Sequence, residues 1–300
     1  FGVFEVGMSR GNEIRKLTSI IKPHIGVITN IGEAHLENFK NIKGIAEAKS
    51  EIIENIQAGG IIILNRDDKF YNFLFRKANL YNLKTSSFGM HKESDIRLVK
   101  IFRKKNSARV IIKMNNQLLD FEIRDLNVHN VLAALAILSF LKVDITDLGE
   151  KFKSLESSIG RGKKYSILRY KKKFKLIDES YNANPLSVKN AIKNLGFIKK
   201  EKFKKYLILG DMLELGAKSK KYHEDLSKVI NNSDIDKVFI KGKKTIFTYK
   251  LLNKNKRGNI LQNNECIYLS WSKKIWDNDY LMIKGSNATG LYNFIKKMIK

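Results

Sequence analysis

The sequence predicts an α/β protein built from two units, because short apolar segments alternate with helical segments in both halves of the chain. In the first half this alternation is typical of a parallel sheet covered by helices. From about residue 86 to 123 strands follow one another directly, with Asn115-Asn116 as a hairpin turn. A Gly/Ser-rich linker covers 156–163, so we expect one domain at 1–160 and a second at 161–300.

The predicted strands are apolar segments that end in polar or Gly-containing loops, and the predicted helices have apolar residues at helical spacing. In the first unit the strands are 2–6, 25–29, 61–64, 96–102, 109–114 and 118–123, and the helices are 13–21, 42–57, 70–77, 129–141 and 145–155. In the second unit the strands are 165–169, 174–177, 206–209, 237–240 and 280–283, and the helices are 185–195, 219–230 and 290–299.

Bulk composition restricts the possible classes of protein. No apolar run approaches the ~18 residues that a membrane-spanning helix needs, and there is no signal-peptide pattern. The single cysteine, Cys266, rules out an internal disulfide framework and a multi-cysteine zinc site. We therefore expect a cytoplasmic protein.

The net charge of +27 raises the alternative of a nucleic-acid-binding protein. The lysines are scattered over the whole chain, however, and the sequence has neither an aromatic-basic RNA-binding motif nor zinc-finger spacing. We therefore expect no nucleic-acid partner. A polyanionic substrate would still be attracted to such a surface, less strongly at high salt.

The most informative segment is the polar loop 178–185, which follows an apolar strand. Asn184 suits a helix N-cap, Pro185 suits the first helical position and Gly196 suits the helix end. Polar loops also follow two other predicted strands, at 210–216 and 284–289. Ligands bind at such strand ends in open α/β sheets, so three polar loops together predict a binding crevice.

Polar residues in the first half also gather at strand ends, where Glu5 and His35 lie. Lys49 falls on the same predicted helix face as Ile45 and Ala48. A lysine there either extends its amine to solvent, the commoner case, or has a function. A carboxylate, an imidazole and a modified lysine together could hold Mg²⁺.

Two further residues have both a structural and a functional interpretation. Arg161, between two glycines, suits a phosphate because its guanidinium is a planar fork of donors, but a solvent-exposed linker arginine is the commoner case. Asn130 follows His129 at the start of a helix, where it either contacts a ligand or caps the helix.

These motifs resemble those of the Mur ligases, and they occur in the expected order along the chain. The resemblance rests on 29–37, 48–51, His129-Asn130, Gly160-Arg161, 178–185 and 210–216. Within the family, Tyr-Asn-Ala-Asn-Pro at 181–185 and Gly-Asp-Met-Leu-Glu-Leu-Gly at 210–216 resemble the branch that joins D-alanyl-D-alanine to UDP-MurNAc-tripeptide. The resemblance implies a central ATPase domain, with a parallel sheet and a small antiparallel part, followed by a Rossmann-like α/β domain.

The resemblance also implies an activity and a set of site residues. ATP would phosphorylate the tripeptide carboxylate, and the amine of D-alanyl-D-alanine would attack the acyl phosphate during peptidoglycan synthesis. The enzyme would be a monomer with two Mg²⁺ sites. The implied residues are, for metal, Glu5, His35 and a carbamylated Lys49; for catalysis, Lys49, His35 and Arg161; for ATP, Asn130, Arg161 and Asp178; and for substrate, Tyr181, Asn182 and Asn184.

The chain departs from the family pattern in two respects. The phosphate-binding Gly-x-x-Gly-Lys-Thr loop and the domain that holds the UDP-sugar are missing, and Phe1 is not a start methionine. We therefore expect an N-terminally truncated chain that is inactive alone, because ATP would lack its phosphate cradle. Ala133 stands where the family usually has a second adenine-contacting asparagine. Another Mur-type or folylpolyglutamate-type ligase is the nearest alternative.

Overall fold

The computed structural model describes residues 1–104, 107–124, 126–144, 147–169, 171–199, 201–263, 266–267 and 273–299. The chain divides into two compact units, Phe1–Glu156 and Ser157–Lys300. The division lies at the start of the Gly/Ser-rich linker. Each unit contains its own six-stranded sheet.

The sheet of the first unit has its strands in chain order, from β1 to β6. They are β1 Ile25–Ile28, β2 Ile61–Asn65, β3 Lys84–Gly89, β4 Ile96–Arg103, β5 Ala108–Met114 and β6 Gln117–Ile123. The pairs from β1 to β4 are parallel, and β4, β5 and β6 pair antiparallel. The carboxyl ends of β1, β2 and β3 therefore lie at one edge of the sheet.

Helices cover this sheet on both faces, which is the arrangement expected for parallel strands. Ile62 and Leu64 of β2 belong to one apolar cluster, whereas Ile63 between them belongs to the other. The helices are α1 Glu13–Ile21, α2 Ile42–Ser50, α3 Tyr71–Leu80, α4 Val128–Phe140 and α5 Leu148–Ser154. After α2 the chain continues as a 3₁₀ helix, Glu51–Asn55.

The sheet of the second unit has the strand order β11-β10-β9-β12-β8-β7. Every pair is parallel except β7 with β8. The strands are β7 Lys163–Arg169, β8 Lys172–Glu179, β9 Lys205–Gly210, β10 Lys237–Lys241, β11 Arg257–Ile260 and β12 Tyr280–Lys284. The helices are α6 Pro185–Phe197, α7 Ser219–Asn231, α8 Thr245–Lys250 and α9 Leu291–Ile299. The late strand β12 inserts between β8 and β9, so the loops that follow these three strands are neighbours.

The α/β fold class is confirmed, but several element predictions are wrong. Residues 2–6 form no strand, and Phe1, Val3 and Phe4 are exposed, because this segment pairs with no described strand. The predicted helix 42–57 ends as an α-helix at Ser50. Gly196 does not end α6, which continues to Phe197.

Among the described α-helices and strands, three were not predicted at all: β3, α8 and β11. The predicted start of α5 at Ile145 lies outside the described residues. Among the described helices, none combines the length and hydropathy needed to cross a membrane.

Candidate functional site

The loops after β1 and β2 are joined by side chains at the carboxyl edge of the first sheet. The Asn65 side-chain amide donates to the Thr29 carbonyl at 2.9 Å. The Asp68 carboxylate accepts from the Ile31 N–H at 2.6 Å and from the Phe70 N–H at 2.8 Å. These bonds fix the backbone that follows β1.

Lys49 reaches this edge from α2, and its Nζ donates to the Asn30 carbonyl at 2.9 Å. It is half-buried on the helix that also carries the buried Ile45 and Ala48. Burial lowers the pKa of the Lys49 amine, and the Asp68 carboxylate partly opposes this effect. The neutral, nucleophilic form of this amine is therefore more readily populated than in a fully exposed lysine.

The three predicted metal ligands do not form an assembled metal site. Glu5 is exposed in the N-terminal segment, and His35 is half-buried with a left-handed backbone, φ 56°. Within the described ranges no three His, Cys, Asp or Glu side chains lie close enough to hold a metal ion. An unmodified Lys49 ammonium would also repel a cation. A metal site at this edge would therefore require Lys49 to become an anionic ligand.

Asp67 and His129 form a polar pair at this edge that sequence reasoning missed. The Asp67 carboxylate accepts from the N–H groups of Met90 at 2.7 Å and His91 at 2.9 Å, and it lies 3.1 Å from His129 Nε2. The preceding Gly89 has φ 153°, and a Cβ there would lie 2.8 Å from this carboxylate. The available sequence signal was Asp67-Asp68 directly after an apolar strand.

Asn130 is exposed in the first turn of α4 and does not cap it. The N-cap is Asn127, whose side chain accepts from the His129 N–H at 2.9 Å. The capping alternative for Asn130 is therefore wrong, and its amide is available to a ligand. Ala133, one turn further on, is buried in the apolar core. An asparagine there would have to bury its polar amide, which is costly without a partner.

In the second unit, Asp178 is completely buried at the end of β8. One carboxylate oxygen accepts from the Gly160 N–H at 2.9 Å. The other accepts from the Ser180 N–H at 3.1 Å and from the Ser180 hydroxyl at 2.6 Å. A ribose contact would require this carboxylate to become exposed and to give up these bonds. In this structure Asp178 instead holds the segment that carries Arg161.

Arg161 is exposed, but it is not an unconstrained linker residue. Its guanidinium lies 4.8 Å from the centre of the Tyr181 ring, a cation–π contact. The Tyr181 N–H donates to the Gly160 carbonyl at 3.1 Å. Gly160 has φ 79°, and a Cβ there would lie 2.6 Å from the Tyr181 Cβ. The glycine thus permits the close approach of the two loops.

The two asparagines of the loop have different environments. Asn184 caps α6: its side chain accepts from the Ser187 N–H at 2.8 Å, and the Ser187 hydroxyl accepts from the Asn184 N–H at 3.1 Å. This reciprocal capping box confirms the prediction of an N-cap at Asn184. Asn182 and Tyr181 are exposed at the carboxyl edge. They are the better placed of the predicted substrate residues.

The prediction that three polar loops meet at one edge is confirmed. The Ser286 N–H, after β12, donates to the Asp211 carbonyl, after β9, at 3.0 Å. The Ser286 hydroxyl accepts from the Leu213 N–H at 3.0 Å and lies 3.4 Å from the Ala183 carbonyl, after β8. A single serine therefore contacts both neighbouring loops.

Comparison with known proteins places these two units in one family. Residues 1–138 match the Mur ligase middle domain, and residues 166–287 match the Mur ligase glutamate ligase domain. The chain belongs to the Mur ligase family. The predicted resemblance is thereby confirmed.

Two curated relatives illustrate the similarity, and both are named UDP-N-acetylmuramoyl-tripeptide–D-alanyl-D-alanine ligase. The Rickettsia prowazekii protein is 31% identical over 295 residues, which are 97% of this chain and 64% of the relative. The Bacillus subtilis protein is 28% identical over 303 residues, which are 99% of this chain and 64% of the relative. The chain thus spans somewhat less than two thirds of the length of these relatives.

Two solved structures of MurF enzymes are similar to this chain in fold. MurF from Acinetobacter baumannii superposes with a TM-score of 0.86 at 25% identity, over 99% of this chain and 64% of that one. MurF from Thermotoga maritima, in complex with ADP, superposes with a TM-score of 0.82 at 25% identity, over 98% of this chain and 66% of that one.

Proposed function

We propose that the protein is an ATP-dependent ligase that joins D-alanyl-D-alanine to UDP-MurNAc-tripeptide in peptidoglycan synthesis. The observation that carries this proposal is the similarity along 97% or more of the chain to relatives that bear this enzyme name. A sister Mur ligase is the alternative, and it has less support. A UDP-N-acetylmuramate–L-alanine ligase from Borrelia garinii is 25% identical over 78% of the chain.

The proposed reaction must bring together a carboxylate and a triphosphate, which are both anions. Fixed cations and hydrogen-bond donors are therefore needed where negative charge develops. We assign Arg161 to the γ-phosphate, because its guanidinium is exposed and supported by the Tyr181 ring. We assign Asn130 to adenine, because its amide is exposed and the helix cap is provided by another residue. The ADP-bound structural relative supports the use of ATP.

Lys49 is proposed to react with CO₂ and become a carbamate. Its partial burial lowers the pKa of the amine and so favours the neutral form that this reaction requires. Carbamylation would convert a cation into an anionic oxygen ligand, with Glu5 and His35 as the further proposed ligands. Mg²⁺, when bound, would neutralise phosphate charge.

Tyr181 and Asn182 are proposed to face the incoming amine, because both are exposed next to Arg161. Asn184 supports them from the helix cap, and Asp178 fixes the Gly160-Arg161 segment. In this scheme 1–160 is the ATP-binding domain and 161–300 is the ligase domain. We further propose a cytoplasmic monomer.

The test is ATP-dependent phosphate release by the full-length protein, because the chain alone is expected to be inactive, with UDP-MurNAc-tripeptide and a panel of amines. D-alanyl-D-alanine should support release, whereas L-alanine and L-glutamate should not. Release with L-alanine and UDP-MurNAc would point to the sister ligase, and release with a folate and L-glutamate would point to the folylpolyglutamate type. Product mass, larger by one dipeptide less water, identifies the amide formed.

A further inference from the structure

We propose that Lys284 is a positioning residue of the ligase site, which holds the loop 179–182 where Tyr181 supports Arg161. The inference rests on the proposed function, and it concerns a lysine to which neither the motifs nor the reaction scheme assigns a role. Lys284 is the last residue of β12, the strand between β8 and β9.

The ammonium of Lys284 is buried, and each of its N–H groups has a hydrogen-bond acceptor. The side chain is only 3% exposed. Its Nζ donates to the Asn182 carbonyl at 3.0 Å, to the Glu179 carboxylate at 3.2 Å and to the Glu179 carbonyl at 3.4 Å. An ammonium has three N–H donors, and three acceptors surround it here. Two of these acceptors are backbone carbonyls of one loop, so the bonds determine the loop's path and not only its charge.

The loop held in this way leads directly to Arg161. Glu179 and Asn182 flank Ser180 and Tyr181 in the chain. The Tyr181 N–H donates to the Gly160 carbonyl, and the Tyr181 ring lies under the Arg161 guanidinium. Moving the loop would therefore move both the ring and the backbone next to Arg161.

The end of β12 is itself firmly placed, so it can act as a fixed point. The Cβ of an alanine in place of Gly285 would lie 2.9 Å from the Gly210 Cα, which shows how closely the two loops approach. Ser286 is bonded to the loops on both sides. Through its hydrogen bonds Lys284 thus holds the loop after β8 in a fixed position relative to β12 and β9.

A purely structural role is the competing explanation, since any buried ion pair is costly to break. The second unit contains a matched control in Lys205, at the start of β9. Lys205 is also completely buried, and its Nζ donates to the Gly196 carbonyl at 2.9 Å and to the Asp234 carboxylate at 3.0 Å. It lies at the opposite end of the same sheet. Lys205→Met should therefore destabilise the unit without moving the Arg161 loop.

The first experiment compares amide hydrogen exchange in the intact wild-type protein, Lys284→Met and Lys205→Met. We expect exchange in 179–184 to be about tenfold faster in Lys284→Met, because two carbonyls and a carboxylate lose their buried donor. Lys205→Met should leave this segment unchanged, and Lys284→Arg should restore part of the protection. Equal exchange of 179–184 in the two methionine variants would overturn the inference.

The second experiment measures ATP-dependent phosphate release in a double-mutant cycle with Arg161→Ala. Lys284→Met should lower kcat/KM for ATP about tenfold. The double variant should be no worse than Arg161→Ala alone, because Lys284 acts through Arg161. If the losses caused by Lys284→Met and Arg161→Ala multiply in the double variant, the inference is overturned. If Lys284→Met does not fold, Glu179→Gln and Lys284→Arg replace it in both experiments.

The two readouts separate the inference from the function on which it rests. If Arg161→Ala leaves phosphate release intact, the proposed role of Arg161 fails, whereas the exchange comparison still tests the effect of Lys284 on the loop. If Arg161→Ala impairs release but Lys284→Met behaves like Lys205→Met, the function stands and the positioning role fails.

Discussion

Replacing Asp178 with asparagine should destabilise the second unit, because this buried carboxylate accepts three hydrogen bonds. Asparagine has nearly the same shape but only one acceptor oxygen. If that oxygen keeps both Ser180 donors, the new NH₂ group faces the Gly160 N–H, donor against donor. A buried unsatisfied donor costs about 1–3 kcal/mol, and bonds that lose their charge weaken further. We expect the free energy of unfolding to fall by about 3 kcal/mol.

Urea denaturation followed by tryptophan fluorescence measures this loss. Both tryptophans of the sequence fall within 157–300, and Trp276 is among the described residues of the second unit, so the fluorescence signal reports on this part of the chain. Asp277→Asn is the control, because Asp277 is exposed and accepts one described bond, from the Lys173 N–H. It should change the free energy of unfolding by less than about 1 kcal/mol.

The reasoning would be refuted if Asp178→Asn unfolded at the same urea concentration as Asp277→Asn. The internal bonds would then contribute little, and a ribose contact would be the better explanation of the aspartate. A rise in KM for ATP without loss of stability would be its signature.

Three further predictions concern other parts of the chain. Gly89→Ala should lower the free energy of unfolding, measured by thermal denaturation, by about 2 kcal/mol, because the new Cβ would lie 2.8 Å from the Asp67 carboxylate. Gly7→Ala is the control and should change it little, because no atom of the described residues, its chain neighbours aside, lies within 4 Å of its Cβ. Burial lowers the pKa of His223 below its ordinary value of 6.5, so the unfolded state binds more protons. The free energy of unfolding should therefore decrease as the pH falls below 6.5. The variant His223→Gln can still accept from the Met212 N–H, and in denaturation experiments at different pH it should lack this decrease in the free energy of unfolding. Lys49→Arg should lower ATP-dependent phosphate release about 100-fold, and ¹³C-bicarbonate should give a carbamate NMR signal in the wild type alone. An unchanged rate in Lys49→Arg would exclude the carbamate as a necessary group.

Most of both sheets could be predicted because each buried strand has a concentrated apolar signal. The segment Ile61–Asn65 is almost wholly apolar and buried on both faces. By contrast, β3 contains Thr85, Ser86 and Ser87, and it forms a strand through pairing with its neighbours. The segment 2–6 shows the opposite error: it was predicted as a strand because it is apolar, but it forms none because it pairs with no described strand. Pairing partners are not visible in a single sequence.

The sequence predicted where polar residues gather, but it did not predict the hydrogen-bond partners of several of them. The helix period correctly placed Lys49 on the apolar face of α2, where the residue is half-buried, but it left open whether the amine reaches solvent. Polar loops, however, look the same in sequence whether they bind a ligand or bond to their own backbone. Asp178 is a clear case, since its oxygens are taken by Gly160 and Ser180. The contact between Asp67 and His129 joins residues far apart in the chain, which spacing does not reveal.

The near-touching backbones of Gly210 and Gly285 have a consequence for redesign of this enzyme family. A methyl group at Gly210 would lie 2.7 Å from Leu291 and 3.2 Å from the Gly285 Cα. Neither position can gain bulk without spreading the two strand ends apart. Attempts to broaden the range of amines that the proposed ligase accepts should therefore leave this glycine pair intact, and Tyr181 with it because its ring contacts Arg161, and should diversify the exposed Asn182 instead.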